Sequence, residues 1–396
     1  MIPITFYGLL ARIVNVFVPI KKRTWVFGAD FGRTYREGSK YLLEYMLANH
    51  PDYDCCFMTK SPQVFEYLKQ KHIPVVMNCS INGIVKAAKA ECVFTTQTTA
   101  DIHFTYKKKG RKFFYLVHGQ PLKIAQSALK DTEYWKKYHG KESFFERIKR
   151  DVTHFLNEGY TMDDVEFVAA TSDFLKPFME KDFGSKPPVI VMGMPRNDAL
   201  FQPYRMKNEK WVEGLEGRFV ITYMPTHRAY GKGQVSPTPF TDRSEIQQWL
   251  RDNNIVLLVK NHPNMIKQCK SFYSSDCIID ITTKGIDPQV AIYHSDVLVT
   301  DFSSVWMDYL LLRRPIIFYI YDDFEHDDVG CHYDIRKNPP GHFCYTEDEF
   351  FELIKKIKSD YDAMKPSDEI ISMYHKYVDG NSCEKYFNWI ANGKEE

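Results

Sequence analysis

Val297-Leu298-Val299-Thr300-Asp301-Phe302-Ser303-Ser304-Val305-Trp306-Met307-Asp308-Tyr309 is an apolar, β-branched run that stops at a cluster of small oxygen-bearing residues and passes at once into a helical pattern. The run reads as a buried strand and the sequel as a helix, so the stretch is half of a βαβ unit. Thr300, Asp301, Ser303 and Ser304 are of the residue types that cap helix starts, because their side-chain oxygens accept backbone N–H groups left without an intrahelical partner. The same corner offers free N–H groups and a positive dipole end to an anion. Two readings therefore stand side by side, a cap without a ligand and a phosphate site.

The neighbouring strand ends favour the second. Residues 255–260 form another buried run and lead into Asn261-His262-Pro263, which sets Lys260 and His262 near the strand's carboxyl end. Open α/β sheets bind their ligands at that edge. The run 219–224 ends in Pro225-Thr226-His227-Arg228, and the run 113–117 in His118-Gly119-Gln120-Pro121-Leu122-Lys123. Four strand ends thus carry His, Arg, Lys, Ser or Thr, the side chains an anionic ligand needs.

Strand-like runs at 24–29, 53–59, 74–77, 92–96 and 113–117 alternate with helical runs near 38–49, 62–71 and 81–90, and the carboxyl half repeats the alternation over 189–319. This predicts an α/β protein with parallel sheets flanked by helices. The Pro-rich step Lys186-Pro187-Pro188 is the expected boundary, giving an amphipathic amino-terminal helix over 1–23, a Rossmann-like domain over 24–186 and a second over 187–396. Ile370, Met373, Tyr374, Tyr377 and Val378 recur at helical spacing, and 385–390 reads as a further helix. A polar, Pro- and Gly-containing loop at 229–241 is expected to overhang a cleft between the two halves.

Five blocks resemble, in order, those of the CDP-glycerol glycerophosphotransferases, enzymes of teichoic acid and capsule polymer synthesis. His118–Lys123 is similar to HGTPLK, Gly193-Met194-Pro195-Arg196-Asn197-Asp198 to GxPRND, Pro225–Arg228 to PTWR, Lys260–Pro263 to KxHP, and Thr300–Ser304 to TDYSS. The likeness extends through Arg314-Pro315-Ile316-Ile317-Phe318-Tyr319 and back to Gly38–Met46 and Ala170–Phe174. It implies two Rossmann-like domains facing a cleft, the glycosyltransferase-B architecture, with 24–186 on the acceptor side and 187–396 binding the CDP donor. It also implies transfer of glycerol phosphate from CDP-glycerol to a hydroxyl of a polyprenyl-linked or polymer acceptor, with CMP released and no metal or cofactor.

Phosphoryl transfer needs positioning and charge stabilisation. His118, with its near-neutral ordinary pKa and strand-end position, is the candidate general base. Arg228, Lys260, His262, Thr300, Asp301, Ser303 and Ser304 are the candidates for holding the donor phosphates, with Gly119, Arg196, Asp198 and Asp308 in supporting places. Each has a structural alternative: Lys260 a rim charge, Arg228 a surface ion pair, Asp301 a cap, Asp198 a brace and Asp308 a helix residue. Departures from the family pattern at Val117, Gln120, His227 and Phe302 leave open a related transferase using CDP-ribitol or a nucleotide sugar, or a non-catalytic membrane-associated scaffold.

With 396 residues and a net charge of +1, the chain has room for two domains and no broad polyanion-binding face, which excludes nucleic acid as the expected partner. Nine scattered cysteines without a C-x-x-C pair fit a reducing cytoplasm. The paired acids Asp322-Asp323 and Asp327-Asp328 read as a solvated loop, and no GxGxxG or GxxxxGK[ST] occurs. Phe6, Leu9, Leu10, Ile13, Val14 and Phe17 share one helix face closed by Lys21-Lys22-Arg23. Basic residues Lys136, Lys137, Lys141, Arg147 and Lys149 interleave with Tyr134, Trp135, Tyr138, Phe144 and Phe145. Both stretches read either as helices on the protein's own surface or as a foothold on the inner face of the cell membrane.

Overall fold

The computed structural model describes residues 4–132, 135, 143–157, 159–184, 186–226, 244–261, 275–321 and 330–393. They form two α/β units: Met1–Gln120, Ala125–Asp198 and Asp379–Glu396 make the first, Pro121–Ile124 and Ala199–Val378 the second.

In the first unit the strands are β1 (Thr24–Phe27), β2 (Asp54–Thr59), β3 (Val75–Met77), β4 (Cys92–Thr95), β5 (Lys112–Tyr115), β6 (Val165–Ala170) and β7 (Val189–Val191). All pair in parallel, in the order β3-β2-β1-β4-β5-β6-β7. Helices α1 (Ile4–Phe17), α2 (Glu37–Asn49), α3 (Pro62–Gln70), α4 (Ile81–Lys89), α5 (Phe144–Asn157) and α6 (Lys176–Phe183) accompany them. Hydroxyls start two of these: Ser61 Oγ accepts from the Val64 amide and Ser80 Oγ from the Gly83 amide. The core is aromatic, with Phe94 stacked between Phe27 at 4.6 Å and Phe114 at 5.0 Å. Cys55 and Cys56, adjacent on β2, are buried free thiols, each pushed up to about 12 by desolvation.

The second unit contains β8 (Phe219–Tyr223), β9 (Ile255–Val259), β10 (Ile278–Asp280), β11 (Val297–Thr300), β12 (Ile316–Tyr319) and β13 (His342–Cys344). They too are all parallel, in the order β10-β9-β8-β11-β12-β13. Its helices are α7 (Pro203–Asn208), α8 (Ser244–Asp252), α9 (Pro288–Tyr293), α10 (Val305–Leu310), α11 (Glu347–Ser359) and α12 (Asp368–Tyr374). A capping box starts α11, with Thr346 and Glu349 each bonding the other's amide.

Two parallel-sheet units are what the alternation predicts, but the chain divides differently. The crossing lies after Asp198 and not at 186, because Arg196 and Asp198 still bond within the first unit. The last helix, α13 (Ser382–Asn392), returns to the first unit, where Trp389 meets Phe167 edge-on at 4.4 Å and Phe387 stacks on His50 at 3.5 Å. Of the two late helical patterns, that ending in α12 stays with the second unit and stops at Tyr374, short of Tyr377 and Val378. The α1 helix is no separate element either; Ala11 is buried in a cluster with Ile84, Phe104 and Tyr106.

Strand order reverses once in each sheet, between β1 and β4 and between β8 and β11. Loops diverge at such breaks, and their amides need acceptors. Fully buried Asp101 accepts from the amides of Phe31 (2.6 Å), Thr96 (2.8 Å) and Gln97 (2.8 Å), joining the loops after β1 and β4. Desolvation raises its pKa, and these hydrogen bonds oppose the rise. In the second sheet Asp301 accepts from the Thr226 amide at 2.7 Å and Thr300 Oγ1 donates to the Met224 carbonyl at 2.7 Å, joining β11 to the end of β8.

Asp101→Ala leaves three amides without their acceptor and is expected to destabilise the protein by about 3 kcal/mol or more. Trp389→Ala, which uncovers the sheet beneath α13, is expected to cost about 2–3 kcal/mol. Urea unfolding followed by circular dichroism reads both.

Candidate active site

In the first unit the catalytic candidate lies one strand away from the break. His118 follows β5, exposed in part, with Gly119 beside it in the turn. Gln120 fixes this turn to the next strand: its Nε2 donates to the Ala169 carbonyl at 3.1 Å and its Oε1 accepts from the Thr171 amide at 3.0 Å. A threonine, the residue of the family pattern here, is too short for that double bond, so the departure at Gln120 is a structural one. Although part of His118 meets solvent, the protein around the imidazole desolvates it and lowers its pKa. Glu37 opposes this electrostatically, Arg196 adds to it, and a hydrogen bond to the Thr96 backbone and the charge of Asp101 favour the imidazolium. The net direction keeps His118 neutral at neutral pH, the form a base requires.

The turn after β7 frames this histidine. Arg196 Nη1 donates to Glu37 Oε2 at 2.6 Å and to the His118 carbonyl. Asp198 accepts from the amides of Ser382 (2.8 Å) and Cys383 (2.7 Å), capping the start of α13. Desolvation raises the pKa of Asp198, against the hydrogen bonds it accepts. Gly193 is required for the close approach, since a Cβ there would stand 2.2 Å from Ser382 Oγ.

The second unit has Lys260 after β9, Thr226 after β8, Thr300 at the end of β11 and Asp301 to Ser304 after it. Lys260 Nζ donates to the Ile286 carbonyl at 2.9 Å, while its amide extends the sheet to Tyr223. Thr300 and Asp301 are buried and spend oxygens on the β8 end, so they do not cap the helix as the sequence led one to expect. Ser304 takes the N-cap position without a side-chain cap bond. Among the described residues the hydroxyls of Ser303 and Ser304 have no protein partner, and both serines are half-buried. The α10 helix is only six residues long, so its dipole is small and the local N–H groups matter more. Phe302, in place of the family's tyrosine, is buried. Asp308 is buried on α10, electrostatically coupled to His375, which bonds the Met307 carbonyl at 2.6 Å.

Arg228 and His262 lie outside the described residues, as do the loop 229–241 and the acids at 322–323 and 327–328. Sequence reasoning missed Glu37 and Asp101. The run Thr95-Thr96-Gln97-Thr98-Thr99-Ala100-Asp101, small polar residues after a strand, is the signal that could have found Asp101. For Glu37 there is no local signal, because its partners are remote in the chain.

The chain matches the family described as CDP-Glycerol:Poly(glycerophosphate) glycerophosphotransferase over residues 10–392. It is 25% identical over 386 residues to a teichoic acid poly(glycerol phosphate) polymerase of Bacillus subtilis (strain 168), covering 94% of this chain and 49% of that protein. With a teichoic acid glycerol-phosphate primase of the same organism it shares 29% identity over 253 residues, 62% of each chain. The chain thus spans about half to three-fifths of the length of these two relatives. Among solved structures, the wall teichoic acid polymerase TagF superposes with a TM-score of 0.73 at 20% identity, over 98% of this chain and 92% of that one. The blocks from His118 to Ser304, the two parallel sheets that carry them and the match across nearly the whole length lead to one conclusion: this chain belongs to the CDP-glycerol:poly(glycerophosphate) glycerophosphotransferase family.

Proposed function

We propose that the chain transfers glycerol phosphate from CDP-glycerol to a hydroxyl of a lipid-linked or polymer acceptor, in the synthesis of teichoic acid or a related polymer. The observation that carries this is the family match over residues 10–392 together with a desolvated, neutral imidazole at its His-Gly block. The acceptor oxygen attacks the glycerol-bearing phosphorus, the bond from that phosphorus to the CMP oxygen breaks, and the acceptor proton passes to His118. In the second unit, Lys260 and the hydroxyls and amides of Ser303 and Ser304 are the described groups suited to the donor phosphates, and Arg228 and His262 are assigned there with them. Thr300 and Asp301 serve by holding the loop, since Thr300 Oγ1 and Asp301 Oδ1 bond the end of β8.

Release of CMP from CDP-glycerol and CDP-ribitol, and of nucleotide from UDP-sugars, would be measured with a lipid-linked acceptor. CDP-glycerol is expected to be the best donor, and His118→Ala to lower kcat by about 10²–10³-fold. Undiminished turnover in that variant removes the base assignment, and a preference for another donor redirects the proposal.

The acceptor side of the proposal extends to the surface of the first unit. Helices α1 and α5 pack together, with Gly8 so close that a Cβ would stand 2.8 Å from the Leu156 carbonyl oxygen. Arg12 braces the pair, lying over the Tyr106 ring at 4.0 Å and the Phe155 ring at 3.8 Å. Exposed on the two helices are Phe6, Leu9, Ile13, Val16, Phe17, Phe144, Phe145, Ile148 and Val152, with Phe17 and Phe145 about four-fifths open. Exposed Arg147, Lys149, Arg150, Lys21 and Lys22 accompany them. Apolar side chains mixed with cations suit the anionic inner leaflet, at about 1 kcal/mol per basic residue near the surface. No described helix is long and apolar enough to cross a membrane. The protein is expected to float with phosphatidylglycerol vesicles, less so at high salt, and the double variant Phe17→Ser/Phe145→Ser to bind at least about tenfold more weakly. Equal flotation by both proteins would remove the surface from the proposal.

A further inference from the structure

Glu37, which no motif flags, is held in an uncommon way. Its backbone lies in the left-handed region, φ 62°, where glutamate is rare and strained, and persists only when the surroundings impose it. The surroundings do impose it. Glu37 opens α2, and the next residue, Gly38, allows that helix start to close on the end of β5: a Cβ at Gly38 would sit 3.1 Å from Leu116 Cβ. The carboxylate is then clamped by Arg196 at 2.6 Å, with side-chain exposures of only 15% for Glu37 and 7% for Arg196. The same guanidinium nitrogen donates to the His118 carbonyl, so acid, cation and histidine backbone form one connected group.

Resting on the assignment of His118 as base, we propose that Glu37 is its positioning residue: clamped by Arg196, it fixes the His118 backbone and supplies the negative charge that stabilises the imidazolium formed when the acceptor proton arrives. Glu37 does not touch the reacting atoms. It plays the part that a carboxylate plays behind a catalytic histidine, acting through a guanidinium and through space.

The charges that face His118 are Glu37 on α2, Arg196 after β7 and Asp101 after β4; the Thr96 backbone bonds the ring, and the Tyr115 hydroxyl is taken by the Gln97 carbonyl at 3.1 Å. Glu37 and Asp101 favour the imidazolium, and Arg196 and desolvation disfavour it. Removing the Glu37 charge leaves Arg196 uncompensated, so the pKa of His118 must fall. Removing the Arg196 charge must raise it.

The test titrates His118 in the full chain by NMR with carbon-13-labelled histidine, the resonance being assigned by its loss in His118→Asn. Alongside it, the pH profile of kcat/KM for CMP release from CDP-glycerol is recorded. Glu37→Gln is expected to move both the His118 titration and the acid limb of the profile to lower pH. It should also lower kcat about tenfold at neutral pH while the KM for CDP-glycerol holds. Glu37→Asp, which keeps the charge and tolerates the left-handed backbone, should restore part of both. Arg196→Gln should move the titration the other way, and it keeps the test alive if Glu37→Gln does not fold. An unmoved titration in a folded variant of either residue overturns the inference while leaving His118 as base. A titration that moves while the acid limb stays fixed overturns the base assignment instead.

Discussion

A parallel sheet that turns its strand order round leaves two loops diverging from the break, and something buried must accept their amides. Asp101 does this in the first unit and Asp301 in the second, where Thr300 Oγ1 adds a bond donated to the Met224 carbonyl. Everything assigned to chemistry hangs from these loops or from the strand ends beside them. His118 bonds the Thr96 backbone that Asp101 anchors. Ser303 and Ser304 extend from the segment that Thr300 and Asp301 pin to the end of β8. The Asp101 carboxylate is dear in desolvation and holds three N–H groups at once, which makes it a poor site for substitution and a good reference point for the side chains around it.

The units diverge in what they offer once the loops are pinned. In the first, the available group is a single imidazole framed by an acid and a guanidinium. In the second, it is a short corner of hydroxyls and amides after β11 and, two strands away after β9, a lysine whose ammonium already has a carbonyl partner. An oxygen engaged with the backbone has little left for a ligand, so the sequence block Thr300–Ser304 splits into two halves. Its first residues build the corner, and its half-buried serines have hydroxyls without a protein partner among the described residues. The block's likeness to the family pattern extends over both halves without distinguishing them.

The strand and helix alternation was legible because parallel strands buried on both faces read as continuous apolar runs: Ile255–Val259 and Val297–Thr300 are cases in point. Short strands at the sheet edges, Ile278–Asp280 and His342–Cys344, lack such a run and escaped notice. The Pro-rich step at 186–188 misled about the boundary, since it only leads into β7, and the crossing is set by hydrogen bonds of Arg196 and Asp198 to remote partners. In the site, His118 and Lys260 stood out because polar residues at strand ends are visible in one dimension. Glu37 did not, because its meaning comes from Arg196, far along the chain, and from a backbone angle that no residue type announces.

The helix Ser382–Asn392 covers the first sheet with Trp389, Phe387 and Tyr386. On the ribosome this has a consequence for timing. The second unit is made whole before the first has its cover, so a nascent chain carries an aromatic sheet face open to water until residues 382–392 emerge. Translation that halts after Val378 would release a complete second unit joined to a first without its cover.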